Sequence, residues 1–397
     1  MKKKLKDICT QVRGVSYKPS DLRDENSGVP ILRANNIQDT GIVLDELVYV
    51  DSSKVHSEQY LLTDDIVICA SSGSKNLVGK AATFKSDLSA SFGAFCKVVR
   101  INNSDDLCKA YIQQYFQSKI YRNAISESSA GANINNIKTE DIEALEIPLP
   151  SKEEQIKIAA ELDTIQSAID NKKQQLALLD EAVKSEFVEM FGENPVESGK
   201  WKVERLGNLC TITSGGTPDR KNEEYWKNGT IPWVKTTELQ NNELSIVEEY
   251  ITEKGLDESA AKIVPEETIL LAMYGQGKTR GMTAFLKIQA STNQACACIL
   301  PTKSKELSQR FIWYFLIMNY ENIRNLAVGC NQLNLNSNLV KSIQIPIPPL
   351  DLQNQFAAFV QQIDKSKFVL QQQLQFIKKY VIMASWRKIC FYTTVAM

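Results

Sequence analysis

The sequence predicts an α+β protein: two tandem-repeat globular α/β modules, separated by two long antiparallel coiled-coil helices and related by a pseudo-two-fold axis. Three observations carry this reading. In the stretch Lys152–Phe191, apolar Ile158, Leu162, Ile165, Ile169, Leu176, Leu179, Val183, Phe187 and Met190 recur in helical steps with no glycine or proline between them, which marks one stripe along a helix. Residues 1–191 and 201–382 carry the same landmarks in the same order, at an offset of about 200 residues, the signature of a duplicated unit. The second copy ends in its own stripe, Phe356, Phe359, Ile363, Leu370, Leu374, Ile377 and Val381, so each helix has an equivalent to pack against.

Local signals bound the central helix. Ser151 with Glu154 three residues later has the form of a capping box, and Gly192 and Pro195 supply the stop. A helix of this span is roughly 60 Å long. Its stripe is narrow and its flanks are charged, so it calls for a partner helix, and its place between two globular segments makes it a spacer. The bland alternative, a stripe buried in an ordinary core, is outweighed by the repeat.

In chain order, Leu5 to Cys9 answers to Leu206 to Cys210, and Gly28 to Arg33 answers to Gly229 to Lys235. A continuous apolar run entering a glycine loop follows, Asp65 to Lys75 with Gly79 and Lys80, against Thr268 to Lys278 with Gly281. Ser91 to Ala94 matches Thr292 to Ala295, and amphipathic helices begin at Tyr111 and Phe311. Gly131 to Asn135 pairs with Gly329 to Asn334, and Ile147-Pro-Leu-Pro150 with Ile345-Pro-Ile-Pro348. The expected organisation is module one over 1–150, a central helical spacer over 151–194, module two over 195–349, a distal helical spacer over 350–385 and an irregular tail over 386–397.

Composition narrows the chemistry. The 397 residues, 43% hydrophobic and 23% charged, suit two or three soluble domains. No apolar run approaches the ~18 residues of a membrane span, and the basic start MKKKLKDIC has no apolar region behind it to make a signal peptide. Nine scattered cysteines read as free thiols of a reducing cytoplasm, and the lone pair Cys296 and Cys298 lacks the second ligand pair of a metal site. His56 is the single histidine and lies in a polar segment, which argues against a catalytic triad or a histidine metal centre. The net charge of −1 means that any phosphate-binding surface is a local patch.

The order of these pieces resembles the specificity subunit of type I restriction-modification enzymes, over residues 1 to about 380 on the scale of a full duplicated chain. The motifs that carry the resemblance are Arg13-Gly-Val-Ser-Tyr-Lys-Pro19, Ser214-Gly-Gly-Thr-Pro218, both glycine loops, and both I-P-x-P junctions into a helix, the first beginning K-E-E-Q. The resemblance implies that the modules are target recognition domains, each reading one half of a bipartite sequence in double-stranded DNA. It implies that the paired helices set the gap and dock two methyltransferase subunits. It places S-adenosylmethionine on those subunits and ATP with magnesium on separate motor-nuclease subunits, with no cofactor in this chain and no chemistry of its own. The residues agree, since neither an N/D-P-P-Y/F methylation motif nor a glycine-rich cofactor fingerprint is present. Gly277-Lys278-Thr279 looks like the end of a Walker A loop, but the pattern needs glycine at position 272, where Ala272 stands.

Base edges are read by Arg, Lys, Asn and Gln, and phosphates are held by cations, hydroxyls and backbone N–H groups. The expected DNA-binding residues are therefore Arg33, Asn35, Asn36, Ser72, Ser74, Lys75, Asn76 and Lys80 in module one. In module two they are Lys235, Thr236, Thr237, Tyr274, Gln276, Lys278, Thr279 and Arg280. Asn133, Asn135, Asn136, Asn331 and Asn334 read as turn and cap residues. Glu154, Gln155 and Gln353 are expected at the interface with the methyltransferase subunits. The rival reading is a coiled-coil scaffold with two protein-binding modules, which the near-neutral charge favours.

Overall fold

A computed structural model of the chain describes residues 2–38, 41–74, 77–128, 136–275, 277–329 and 333–394, the side chains of 128 and 380–394 excepted. It divides into two compact units, Met1–Lys173 with Gln372–Met397, and Gln174–Gln371. The division falls inside each long helix.

The first unit is built on an antiparallel sheet in the order Cys9–Arg13, Cys96–Ile101, Ile66–Cys69, Ala81–Thr83. All four residues of Ile66–Cys69 are buried. Strand alternation divides them between two cores: Ile66 and Ile68 pack with Tyr111, Ile112 and Phe116, while Val67 and Cys69 pack with Phe84, Phe92 and Val98. Burial on both faces is why this strand reads as an unbroken apolar run. A smaller sheet sets Val29–Leu32 between Ser91–Phe92, in parallel, and Val48–Val50, antiparallel. Helices α1 (Lys109–Gln117), α2 (Lys119–Ser128) and α3 (Thr139–Glu143) follow. Strand Glu146–Pro148, paired with Lys2–Lys4, then leads into α4 (Lys152–Phe191).

The second unit repeats the scheme as Ile212–Ser214, Cys296–Ile299, Ile269–Ala272, Thr283–Leu286, with a fifth strand, Asn242–Leu244, parallel to the last. Ile269 and Leu271 face one core, Leu270 and Ala272 another. Its helices are α5 (Leu206–Leu209), α6 (Glu253–Asp257), α7 (Gln309–Met318), α8 (Tyr320–Asn325), α9 (Ser337–Ser342) and α10 (Leu350–Thr394). Strand Lys202–Arg205 pairs with Gln344–Ile347 just before α10.

Two glycines explain the sequence motifs at the edge of each main sheet. A Cβ on Gly14 would lie 2.2 Å from the Gly93 oxygen, and one on Gly215 would lie 2.1 Å from the Thr292 oxygen. The backbones touch there, and the next residues bond across: Val15 N–H donates to Phe92 O at 2.7 Å and Gly216 N–H to Thr292 O at 2.8 Å.

Helix α4 has the span the sequence predicts, and each residue of its stripe is buried or half-buried. Ser151 Oγ accepts from the Glu154 N–H at 3.4 Å. In the second unit, Val183, Phe187 and Phe191 of α4 enter one core with Phe356, Ala357 and Val360 of α10. The Phe356 ring lies 5.5 Å from Phe187 and 5.5 Å from Phe191, while Asp180 pairs with Lys367 at 2.6 Å. Descending positions on α4 therefore meet ascending positions on α10, so within this unit the two segments run antiparallel. Helix α10 continues past 385, where the sequence predicts an irregular tail, as far as Thr394. No glycine or proline occurs between Leu350 and Thr394 to stop it. Residues 395–397 of the expected tail lie outside the described residues.

The structure revises the expected subunit interface. Gln155 and Gln353 are 1% and 0% exposed, which leaves no surface for a partner. Gln155 Oε1 accepts from Cys108 N–H at 2.9 Å, and its amide donates to Asp106 O at 2.9 Å and Pro150 O at 3.0 Å. Gln353 does the same with Ser308 N–H at 2.8 Å, Glu306 O at 2.8 Å and Pro348 O at 2.7 Å. Each glutamine ties the first turn of its long helix to the start of α1 or α7. Half-buried Glu154 stays at the capped helix start.

Replacing Gly215 by alanine should cost about 3 kcal/mol, the upper range for overpacking against a backbone that cannot move aside. Chemical denaturation would measure it, and an unshifted midpoint would show that the turn gives way freely.

Candidate nucleic-acid interface

In both units the central strand ends in a loop that doubles back to its neighbour. Cys69 N–H donates to Lys80 O and Gly79 N–H to Cys69 O, both at 2.8 Å. In the second unit Ala272 N–H donates to Met282 O and Gly281 N–H to Ala272 O, both at 2.9 Å. The returning glycines hold φ of 80° at Gly79 and 88° at Gly281, a left-handed conformation that glycine takes without strain.

A helix arginine braces each loop. Arg122 of α2 donates to Val78 O at 2.9 Å. Arg324 of α8 donates to Gly277 O at 2.8 Å and to Arg280 O at 3.2 Å, while Tyr320 donates to Lys278 O at 2.6 Å. On the other side, Ile137 N–H donates to Ala70 O at 2.8 Å and Leu335 N–H to Met273 O at 2.9 Å. Arg280 turns its guanidinium onto Leu333 O. Sequence reasoning passes over Arg122 and Arg324, because a lone cation on an amphipathic helix reads as solvated surface. Their equivalence across the repeat is the signal that finds them.

The second group lies where Val29–Leu32 and Ile231–Val234 end. Asn36, expected to meet DNA, is instead 1% exposed. Its carbonyl accepts from Arg33 N–H at 2.9 Å, and its amide donates to Val43 O and Asp45 O, both at 2.9 Å. With one acceptor and both donors occupied, it staples the following loop. Glu238 takes the same role, accepting from Lys235 N–H at 2.8 Å and Glu248 N–H at 3.0 Å. The cations turn to the same loop: Arg33 donates to Glu46 O at 2.9 Å, and Lys235 pairs with Glu248 at 2.7 Å and Glu249 at 2.9 Å. Hydrogen bonds to Glu248 and then Glu249 hold the Lys235 ammonium well above its ordinary range. Burial raises the Glu249 carboxyl, yet its hydrogen bonds from Lys235 and Arg220 prevail and hold it below its usual value.

One turn joins the two groups. Gly93 N–H donates to Leu32 O at 2.9 Å, while Ala70 and Ser71 N–H donate to Phe95 O at 2.9 and 3.0 Å. In the second unit Asn293 N–H donates to Val234 O at 3.2 Å and Met273 N–H to Ala295 O at 2.8 Å. Phe95, 69% exposed on this turn, is absent from the sequence-derived set because an isolated phenylalanine reads as core.

Asn35, Ser74, Thr237, Tyr274 and Lys278 are exposed, and Arg33, Ser72, Lys80, Lys235, Thr236, Thr279 and Arg280 are half-buried. Lys80 lines a cleft of about 860 Å³ with Lys119, Arg122 and Lys378 facing Asp163 and Asp170. Lys75, Asn76 and Gln276 lie outside the described residues, as do Asn133, Asn135 and Asn331. Asn136 and Asn334 form isolated antiparallel β-bridges with Ser71 and Val328, in place of the turn and cap roles expected of them. His56 is exposed. Burial pushes the thiols of Cys9 and Cys96 up to about 12, so neither is a thiolate nucleophile near neutral pH.

These features define a class: a duplicated mixed α/β protein, each copy presenting a polar glycine loop and a cation-bearing turn joined by a turn of its own. A family model, the type I restriction modification DNA specificity domain, matches residues 1–181 and again 198–378. The chain belongs to that family, as a non-catalytic DNA target specificity subunit. It is 28% identical over 382 residues to the type I restriction enzyme StySPI specificity subunit of Salmonella potsdam, covering 90% of this chain and 80% of that one. It is 34% identical over 232 residues to the EcoKI specificity subunit of Escherichia coli K12, covering 54% of this chain and 49% of that one. The type I restriction-modification S subunit of M. genitalium has the same fold, with a TM-score of 0.56 at 14% identity over 96% of this chain and 93% of that one.

Arg324→Met should free the second loop while leaving α8 helical. DNA affinity should fall about tenfold, of the order expected for loss of a charged hydrogen-bonding brace, with discrimination lost only at positions read by the second unit. Binding to single-substitution DNA series would test this, and undiminished discrimination would remove Arg324 from the interface.

Proposed function

We propose that each unit reads one half of a bipartite duplex target, and that α4 and α10 form an antiparallel coiled coil with pseudo-two-fold symmetry that sets the gap. The observation that carries this reading is the recurrence of one loop architecture, brace included, at equivalent points of both units. The exposed Asn35, Ser74, Thr237, Tyr274 and Lys278 are the contacts to DNA, and Arg33, Ser72, Lys75, Asn76, Lys80, Lys235, Thr236, Gln276, Thr279 and Arg280 belong to the same DNA-binding set. Where the loops differ, Ser72 to Lys80 against Tyr274 to Arg280, the half-sites differ. The target recognition domains are 1–150 and 195–349, with the spacers between and after them.

The helices also dock two methyltransferase subunits, which carry S-adenosylmethionine, and motor-nuclease subunits with ATP complete the enzyme. The assembly works in the cytoplasm; among the described residues no helix is long and apolar enough to cross a membrane. Family membership weighs against the protein-binding scaffold, since residues 1–181 and 198–378 each match a DNA specificity domain.

Co-expression with the cognate methyltransferase subunit in a host without DNA methylation, followed by genome-wide methylation mapping, tests the whole reading. A single motif with two short halves around a fixed gap is the expected result; no new methylation by a stable complex would count against it. Lys278→Ala should weaken binding uniformly across sequences and reduce the salt slope by about one if Lys278 holds a phosphate, or relax one base position if it reads a base edge. Wild-type behaviour in both assays would strike Lys278 from the contacts. Inserting one helical turn into α4 should change the gap and neither half-site, and an unaltered gap would exclude the spacer.

A further inference from the structure

The two buried glutamines sit where such a spacer would be aimed. Gln155 and Gln353 occupy the same place in the first turn of α4 and α10, and each makes three hydrogen bonds to equivalent groups. One bond goes to the N-cap of α1 or α7, one to the loop before that cap, and one to the proline just ahead of the long helix. We propose that these carboxamides are positioning residues that fix the direction in which each long helix leaves its recognition module, and so hold the enzyme to one gap between half-sites. This inference rests on the spacer reading above.

The side-chain chemistry is specific. A carboxamide is planar and presents an acceptor and two donors in one rigid group, whereas a carboxylate accepts only and an apolar side chain does neither. Three bonds to two backbone segments, Asp106–Cys108 or Glu306–Ser308 leading into α1 or α7 and the proline ahead of the long helix, set the plane of the amide. The first helical turn then cannot tilt against α1 or α7 without breaking at least one of them. Leverage makes small tilts matter: over ~60 Å of helix a tilt of roughly 10° displaces the far end by about 10 Å, close to three base-pair steps. Apolar packing does not set direction so finely. Ile158 and Ala159, like Phe356 and Ala357, anchor each helix to its module core, but dispersion contacts are non-directional and permit sliding. The joint survives without the glutamine and loses its angle.

The test uses the complete methyltransferase complex with Gln155→Leu and, separately, Gln353→Leu. Substrates carry the wild-type half-sites at the native gap and at one base pair more or less, with single mismatches in each half-site as controls. The wild-type complex should methylate the native gap far faster than its neighbours. Each variant should lose at least about tenfold of that gap discrimination, the size of one lost directional interaction, while discrimination against half-site mismatches stays at the wild-type level. Gap discrimination retained in full overturns the proposal, and so does a parallel loss of half-site discrimination, which would signal general loosening. Should a leucine variant fail to assemble, Gln155→Asn and Gln353→Asn keep the carboxamide one methylene short and take its place. Loss of gap discrimination alone supports the proposal in those variants too, and full retention or a parallel half-site loss overturns it. A wild-type complex indifferent to gap would instead overturn the spacer reading on which the inference stands.

Discussion

Each unit depends on one short strand buried on both faces. In Ile66–Cys69 and Ile269–Ala272 every residue is buried, alternately in one core and the other. Backbone groups so placed must all find partners, which demands neighbours on both edges and an abrupt exit at the end. The glycine loops are that exit. Their shape is dictated by the return to the adjacent strand, and what remains free to vary is the set of side chains at their tips. A rigid frame with a variable rim is what a recognition protein needs.

Periodicity makes the large features legible. The stripe of α4 can be read because a narrow apolar face over many turns leaves an unambiguous period, and the structure buries or half-buries each of its residues. The repeat is legible because landmarks such as Gly79 and Gly281 answer to backbone conformations only glycine favours. Buried polar residues are not legible. Nothing in the sequence around Asn36, Gln155 or Gln353 distinguishes an internal staple from a surface contact, since the difference lies in which distant carbonyls and N–H groups fold against them. The end of α10 departs from expectation for a related reason: a lost amphipathic period suggests a lost helix, although no residue there breaks one.

Charge follows the same logic. A net charge of −1 coexists with a DNA-reading role because many cations are committed within the fold. Arg100 holds buried Asp65 at 2.7 Å, Arg310 holds Glu243 at 2.7 Å and Lys235 holds two carboxylates. Lys278, exposed on its loop, takes part in none of the ion pairs found among the described residues. The cations that brace the loops, Arg122 and Arg324, direct their donors to carbonyl groups. Charge counted over the whole chain therefore says little about the potential at a loop tip.

The division of the chain also orders its birth. The second unit is one continuous segment, Gln174–Gln371, whereas the first combines Met1–Lys173 with Gln372–Met397. On a ribosome the inner unit has all its residues before the outer one does. At ~5–20 residues per second, the outer unit waits roughly ten to forty seconds for its final segment. Its cores centred on Ile66–Cys69 are complete early, but the half of α4 that belongs to it must stand without the segment from Gln372 onward. Vectorial synthesis thus makes the unit begun first the one finished last, and the apolar stripe of α4 is what nascent-chain chaperones would meet in the interval.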